Sequence, residues 1–96
     1  MRLIFAQRAL REVARCGRWW VEHRDAKRLF ADELLDALVR IKRDPTIGAV
    51  YRVSRGREQR RVLMPKTAHH VYYRVDRDEI FVLAVWGARR GRSPAI

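Results

Sequence analysis

The sequence predicts an α+β fold in which one strand and a helical hairpin precede an antiparallel sheet of three or four strands. Two periodicities of the apolar residues, together with the length of the chain, predict this fold. Apolar residues recur at steps of three and four between residues 7 and 43, and they alternate at every second position over much of residues 49–86. The 96 residues suffice for one core, and no linker-like stretch interrupts them. We therefore expect a single domain over residues 1–96.

The first half of the chain predicts a strand and two amphipathic helices. The apolar residues 3–5 predict the strand, and a helix is expected over about residues 7–23. Asp25 is expected to cap a second helix that runs from residue 26 to the stop before Pro45. Each helix is expected to bury one apolar stripe. The stripes are Leu10, Val13, Ala14, Gly17, Trp20 and Val21 in the first helix, and Leu29, Phe30, Leu34, Ala37, Leu38 and Ile41 in the second.

The second half of the chain predicts strands over residues 49–53, 60–64, 69–75 and 79–86. The last of these is apolar at nearly every position, which is typical of a central strand covered on both faces. Residues 88–96 predict a basic and irregular tail. The strand over residues 69–75 alternates cleanly between two faces. Its two sets are Val71, Tyr73 and Val75 on one side and His70, Tyr72 and Arg74 on the other.

Positive charge is the strongest compositional signal. The chain carries 22 Lys and Arg residues against 11 Asp and Glu residues, a formal net charge of +11. Such a charge attracts nucleic acid, an acidic protein partner or an anionic membrane surface, and the membrane is the weakest of the three because no polybasic tract adjoins an apolar anchor. Solvated surface arginines are the plainer alternative.

Cysteine usage and hydropathy indicate a cytoplasmic protein. The single cysteine, Cys16, can form no internal disulfide and has no companions for a metal site, so we expect neither a metal nor another cofactor. No apolar run approaches the length of a membrane span, and the N-terminus does not read as a signal peptide.

Three segments in the second half carry a family resemblance. An arginine-led strand at residues 60–64 is followed by His69-His70-Val71-Tyr72-Tyr73-Arg74-Val75-Asp76 and by an apolar strand that closes on Trp86-Gly87-Ala88-Arg89. In order and spacing these segments resemble the RelE/ParE superfamily of type II toxin–antitoxin systems, closer to its ParE branch. Trp86 stands where that pattern usually has histidine, and the first half of the chain fits by pattern only.

The resemblance implies a growth-inhibiting toxin that is neutralised by a cognate antitoxin, with which it forms a hetero-oligomer. ParE-type members poison DNA gyrase, whereas RelE-type members cut mRNA in the ribosomal A site. A basic module that binds nucleic acid without toxicity is a third possibility. The fold alone does not choose among these functions.

The acid and base groups argue for the ParE branch. RNA cleavage without a metal needs a base for the 2′-hydroxyl and an acid for the leaving oxygen. RelE-type members carry a tyrosine or a histidine in the C-terminal tail, and the tail of this chain contains neither. A nuclease would therefore depend on His69 or His70 together with Arg61 and Arg89. The alternative for the two histidines is structural, with one inside and one outside the sheet, so no catalytic residue is assigned firmly.

Two binding surfaces are predicted. Basic and aromatic residues at strand ends and in the tail are expected to contact the target, gyrase or the ribosome: Arg60, Arg61, Lys66, Tyr72, Arg74, Arg89 and Arg90. Apolar residues that lie off the helix stripes are expected to contact the antitoxin, with ordinary surface apolarity as the alternative: Trp19, Leu35 and Val39.

Overall fold

The computed structural model describes residues 1–96 as five strands and two helices. The elements in chain order are β1 (Arg2–Phe5), α1 (Gln7–His23), α2 (Leu29–Arg43), β2 (Ala49–Ser54), β3 (Arg57–Met64), β4 (His69–Asp76) and β5 (Glu79–Gly87). Neither helix is long and apolar enough to cross a membrane. The predicted order of a strand, two helices and then further strands is confirmed.

All five strands form one sheet in the order β1-β5-β4-β3-β2. The neighbours from β2 to β5 pair antiparallel, whereas β1 lies parallel to β5, with Arg2 opposite Glu79. The sheet is therefore mixed. The four strands after the helices agree with the prediction, and the predicted N-terminal strand joins them as a fifth. The sequence did not show that β1 completes the sheet, because this pairing joins the two ends of the chain.

The sheet has two unlike faces. Successive side chains of a strand point to opposite sides, and Val71 and Tyr73 lie in the hydrophobic core, while His70, Tyr72 and Arg74 lie on the other side of β4. We call these sides the helix face and the outer face. The core on the helix face comprises Ala9, Phe30, Leu34, Ala37, Ile41, Val62, Met64, Val71, Tyr73, Ile80, Val82 and Val85.

Helix α1 buries a stripe that only partly matches the expected one: Val13 and Trp20 pack against the core as expected, whereas Ala14 is exposed. Leu10 and Val21 were expected in the core, but they are 53% and 49% exposed, whereas Ala9 and Glu12 are buried. The Oε1 atom of Glu12 accepts a hydrogen bond from the backbone N–H of Val85 at 2.9 Å. The Val85 N–H lies beyond the residues of β5 that pair with β1, so the carboxylate of Glu12 is its hydrogen-bond acceptor. The polar side chain of Glu12 therefore points inward. Apolar periodicity cannot predict such an orientation.

Helix α2 begins at Leu29, three residues later than expected. Asp25 does not cap it, because a turn closed by Lys27 N–H and the Asp25 carbonyl at 2.9 Å precedes the helix. Its end is as predicted. After Arg43 the carboxylate of Asp44 accepts hydrogen bonds from the hydroxyl and the N–H of Thr46 at 2.7 and 3.1 Å, which lowers the pKa of Asp44.

The loop between α2 and β2 is held against the helix face by Tyr73. The Tyr73 hydroxyl donates to the Pro45 carbonyl at 2.6 Å and accepts from the Gly48 N–H at 3.0 Å. A Cβ atom at Gly48 would lie 2.6 Å from this hydroxyl oxygen, so the close approach requires glycine. Arg60 adds a second clamp by donating to the carbonyls of Thr46 and Gly48 at 3.1 and 2.7 Å.

The residues after β5 form no helix or strand but remain close to the body of the domain. The indole N–H of Trp86 donates to the Arg92 carbonyl at 2.9 Å, and Arg8 donates to the Ala95 carbonyl at 2.9 Å. Pro94 is buried. The C-terminal segment thus takes part in forming the surface around the sheet.

Candidate anion-binding face

A cavity of about 530 Å³ opens on the outer face at the ends of β2, β3 and β4. Its lining is almost entirely polar and strongly basic: Arg52, Ser54, Arg55, Arg57, Gln59, Arg74 and Ile96. The hairpin between β2 and β3 brings several of these together because Arg55 and Gly56 both adopt positive φ, as a tight type I′ turn requires. We call this site the arginine cavity.

Two cross-strand neighbours form one wall of the arginine cavity. Gln59 lies opposite Arg74 in the pairing of β3 with β4, and the Arg74 guanidinium lies 4.9 Å from the ring centre of Phe81. The Oε1 atom of Gln59 and the Nε atom of Arg74 are buried without hydrogen-bond partners. Since buried polar groups ordinarily have partners, this wall retains hydrogen-bonding capacity for a bound group.

The charge of the arginine cavity is only partly compensated. Arg57 forms an ion pair with Asp76 at 3.0 Å, whereas Arg52, Arg55 and Arg74 form none. Guanidinium groups hold their protons throughout the physiological range and present several donors in a fixed plane. The cavity is therefore suited to binding anions, and phosphate and carboxylate are the groups that arginine binds best.

Beside the arginine cavity, Arg61 contacts two tyrosines that pack against each other. Its Nη1 atom donates to the Tyr72 hydroxyl at 3.4 Å, and its guanidinium lies 5.4 Å from the ring of Tyr51. The two tyrosine rings meet edge to face at 5.0 Å. Tyr72 is only 2% exposed, so it supports Arg61 from below and does not itself reach a partner.

His70 completes this part of the outer face. It lines a small cavity of about 190 Å³ together with Arg61, Tyr72, Trp86 and the C-terminal segment. Burial, followed by the positive charge of Arg61, lowers the pKa of His70. The imidazole is consequently neutral at pH 7 and able to accept a proton, which makes it the one candidate base among the residues lining this cavity.

His69 lies on the helix face, away from His70. Its Nδ1 atom donates to the Thr67 carbonyl at 2.9 Å, which leaves Nε2 to accept from the Cys16 thiol, 3.5 Å away. The ring also meets the edge of Phe30 at 5.1 Å. Burial lowers the pKa of His69 and raises that of Cys16. The structural interpretation of His69 fits these contacts, since every polar atom of the ring is engaged within the fold.

The remaining predicted target-binding residues do not line the arginine cavity. Arg60 clamps the loop on the helix face, and Lys66 lies in the β3–β4 turn, where its N–H donates to Glu33 at 2.7 Å. Arg89 is exposed without a partner, and Arg90 lies 4.1 Å from the ring centre of Trp86.

Several arginine-cavity residues were missed at the sequence level. Arg57 and Gln59 precede Arg61, which was predicted, at steps of two along β3, and this period is the signal that places all three on one face. It was overlooked because the strand was expected to begin at residue 60, whereas β3 begins at Arg57. Arg52 and Arg55 carry no such signal, since a bulge interrupts the pairing of β2 with β3.

The predicted antitoxin-binding residues fall on two separate surfaces. Leu35 and Val39 lie one turn apart on the exposed side of α2, and Leu35 is 62% exposed. Trp19 is also exposed, but its ring stacks on His23 at 4.8 Å on α1.

Helix α1 carries two further exposed apolar residues, Leu10 and Val21. Leu10 and Val21 fall seven and four residues from Gly17, so the three share one side of the helix. A Cβ atom at Gly17 would lie 4.0 Å from the Phe30 ring, so this side faces α2. We call Leu10, Val21, Leu35 and Val39 the hairpin patch.

Two solved structures share this fold. One is a chromosomal ParDE toxin–antitoxin system from P. aeruginosa, with a TM-score of 0.66, 14% sequence identity and coverage of 93% of this chain and 97% of that chain. The other is the isolated RelE toxin of E. coli, with a TM-score of 0.63, 21% identity and coverage of 95% and 87%. At these identities the likeness shows the RelE/ParE fold.

The family follows from sequence. A family model described as the ParE toxin of the type II toxin–antitoxin system parDE matches residues 3–91. The chain therefore belongs to the ParE toxin family. No curated protein sequence matches it. Its side chains form no cluster of three or more His, Cys, Asp or Glu residues that could hold a metal ion.

Proposed function

We propose that this toxin arrests growth in the cytoplasm by binding and poisoning DNA gyrase through its outer face. The arginine cavity is the observation that carries the proposal. Arg52, Arg55 and Arg74 are free of ion pairs there, and arginines bind anions without exchanging protons. A surface of this kind suits the capture of a carboxylate or of gyrase-held DNA more than it suits bond cleavage.

The proposal is tested on purified gyrase. Relaxed plasmid is supplied with gyrase, ATP and increasing amounts of the toxin, and both supercoiling and trapped double-strand cleavage are measured. We expect supercoiling to fall and cleaved plasmid to accumulate. Unchanged supercoiling and cleavage at a large excess of correctly folded toxin would remove gyrase as the target.

A ribosome-dependent endoribonuclease is the second candidate, and His70 is the observation that favours it. The imidazole is neutral and shares a cavity with Arg61, so a base and a phosphate-binding cation stand together. Primer extension on a translated mRNA distinguishes this function. New cuts in the ribosomal A site that disappear in His70→Ala would establish it in place of gyrase poisoning.

Production of the toxin without any antitoxin tests the third possibility. If the chain is a basic module without toxicity, cells grow normally although the folded protein accumulates. Growth arrest by the unmodified chain would exclude that function and leave gyrase and the ribosome as targets.

We propose further that a cognate antitoxin covers the hairpin patch. Exposed apolar side chains on paired helices suit an amphipathic segment that lays its own apolar face on them. The net charge of +11 favours an acidic partner. Trp19 lies outside the patch and would contact the antitoxin only if the bound segment continued around α1.

A charge placed in the hairpin patch tests the antitoxin surface. Leu35→Asp buries a carboxylate under the bound segment, so we expect the antitoxin to fail to co-purify and to fail to restore growth. Arg18→Asp places the same acid at an exposed position of α1 outside the patch, and neutralisation should persist. Equal neutralisation of both variants would show that the antitoxin binds elsewhere.

A further inference from the structure

A second basic groove runs along α1 on the helix side of the molecule. Two adjoining cavities form it, of about 460 and 360 Å³, and Arg15 and Arg90 line both. The first is also lined by Arg8, Arg11, Glu12 and Trp86, and the second by Cys16, Trp19, Trp20, Arg24, Thr67 and His69. We call this surface the α1 groove.

The positive charge of the α1 groove is almost uncompensated. Glu12 is the single acidic residue in its lining, and both carboxylate oxygens are already bound, one to Val85 N–H and the other to Arg8 at 3.0 Å. Arg11, Arg15 and Arg90 form no ion pair. Because the only acidic side chain of the groove is already bound within the fold, the free guanidinium groups remain available to an anionic ligand.

Tryptophan rings orient some of these guanidinium groups. Arg90 lies 4.1 Å from the ring centre of Trp86, and Arg24 lies 5.0 Å from that of Trp19. Such cation–π contacts hold a guanidinium in place while its N–H groups stay available. Trp19 is 42% exposed, so its ring remains accessible once the exposed Arg24 moves.

The shape of the α1 groove indicates a polymer as its ligand. From Arg8 to His23 the axis of α1 extends ~22 Å, and Arg8, Arg11 and Arg15 recur along it at helical spacing. A single phosphate would occupy one of these positions, whereas a chain of phosphates can engage several. Aromatic rings that alternate with basic residues along a groove are the usual means of binding single strands.

We propose that the α1 groove binds single-stranded nucleic acid, with phosphates on Arg11, Arg15 and Arg90 and a base on Trp19. A single strand exposes its base faces to Trp19, whereas a duplex keeps them stacked. The site is separate from the arginine cavity, so it does not depend on gyrase as the target.

Binding is tested with fluorescently labelled oligothymidylate and the purified toxin by anisotropy at several salt concentrations. We expect R11A/R15A to bind about tenfold more weakly and to reduce the slope of log affinity against log salt by about 1.4, because two phosphate contacts are lost. The matched control K42A/R43A removes the same charge from the exposed end of α2, outside both basic sites, and should bind within about twofold of the wild type. Circular dichroism confirms that each variant is folded.

Tryptophan fluorescence supplies an independent readout. Oligothymidylate should quench the intrinsic fluorescence of the wild type, and Trp19→Ala should lose most of that quenching. Equal weakening by R11A/R15A and K42A/R43A would reduce the effect to overall charge and overturn the proposal. Equal affinity for a duplex of the same length, or binding of polyglutamate without binding of the oligonucleotide, would overturn it as well.

Discussion

At the scale of single residues, buried polar groups lock the helices and the loops onto the sheet. Glu12 ties α1 to β5. Glu33 ties α2 to the β3–β4 turn by accepting from the N–H groups of Lys66 and Thr67 and from the Thr67 hydroxyl. Burial alone would raise the pKa of Glu33, but these hydrogen bonds together hold it below its ordinary value.

Removal of the Glu12 carboxylate should destabilise the fold. Glu12→Ala leaves the buried Val85 N–H without an acceptor, and we expect a loss of about 2–3 kcal/mol in the free energy of unfolding. Glu12→Gln keeps an acceptor oxygen and should cost less. Urea unfolding measures both, and an Ala variant as stable as the wild type would show that this bond does not hold α1 in place.

Gly48 should tolerate no side chain. Gly48→Ala drives a Cβ atom into the Tyr73 hydroxyl, and overpacking of this kind costs about 1–3 kcal/mol. Combining it with Tyr73→Phe removes the nearest clashing atom, so the two substitutions should cost less together than the sum of their separate effects. Strict additivity in urea unfolding would contradict the close approach.

At the scale of elements, the start of β4 contains two histidines with different surroundings on opposite faces. Both are held neutral, because burial lowers the pKa of His69 and of His70. The folded chain therefore takes up protons on these rings less readily than the unfolded chain, whose histidines titrate near pH 6.5. Protonation of these two histidines at low pH should therefore lower the stability of the folded state.

Stability should accordingly fall as the pH drops below about 6.5 and continue to fall through the lowered pKa values of the folded state. Glu33 shifts in the same sense and extends the loss below its ordinary value of 4.5. Urea midpoints at pH 7.5 and pH 5.5 measure the effect. His70→Gln should flatten the dependence relative to His23→Gln, which alters an exposed histidine on α1. A pH-independent midpoint would contradict the account.

The elements were predictable from the sequence to the extent that periodicity defines them. The period of two along β4 placed its residues on the correct faces, and the apolar run of β5 indicated an inner strand, which lies between β1 and β4. The orientation of α1 was not predictable, because the polar Glu12 occupies a core position. The parallel pairing of β1 depends on residues at opposite ends of the chain, which no local pattern reveals.

The candidate site was predictable in part for the same reason. Arg61 and Arg74 follow from strand alternation. Arg60 was grouped with them although adjacent strand residues point to opposite faces, and it clamps the α2–β2 loop instead. The participation of Arg52 and Arg55 depends on the hairpin geometry, and the exposure of Leu10 depends on the orientation of α1. Both emerge only from the tertiary structure.

At the scale of the whole molecule, the two faces of the sheet carry different features. The helix face carries the core and the hairpin patch, and the outer face carries the arginine cavity, from which we propose that the target is bound. Arg60 and Arg61 are neighbours in sequence but serve opposite faces. Substitution of Arg60 should lower stability, whereas substitution of Arg61 should lower target binding.

Arg60→Ala should unfold at lower urea concentration than the wild type, because the carbonyls of Thr46 and Gly48 lose their donor. The free energy of unfolding should fall by about 1 kcal/mol for each hydrogen bond that is lost. Arg61→Ala should lose less, because it removes one long hydrogen bond of 3.4 Å, to the Tyr72 hydroxyl, in place of two shorter ones. The reverse order of stabilities would mean that the two faces are assigned wrongly.

The most direct test of the outer face as the target-binding surface is the gyrase cleavage assay with Arg61→Ala and Arg74→Ala beside Arg18→Ala. All three remove one positive charge, but Arg18 lies on the exposed side of α1. Loss of trapped cleavage in the first two variants, with wild-type cleavage in the third, is the predicted result. Equal activity in all three folded variants would contradict it.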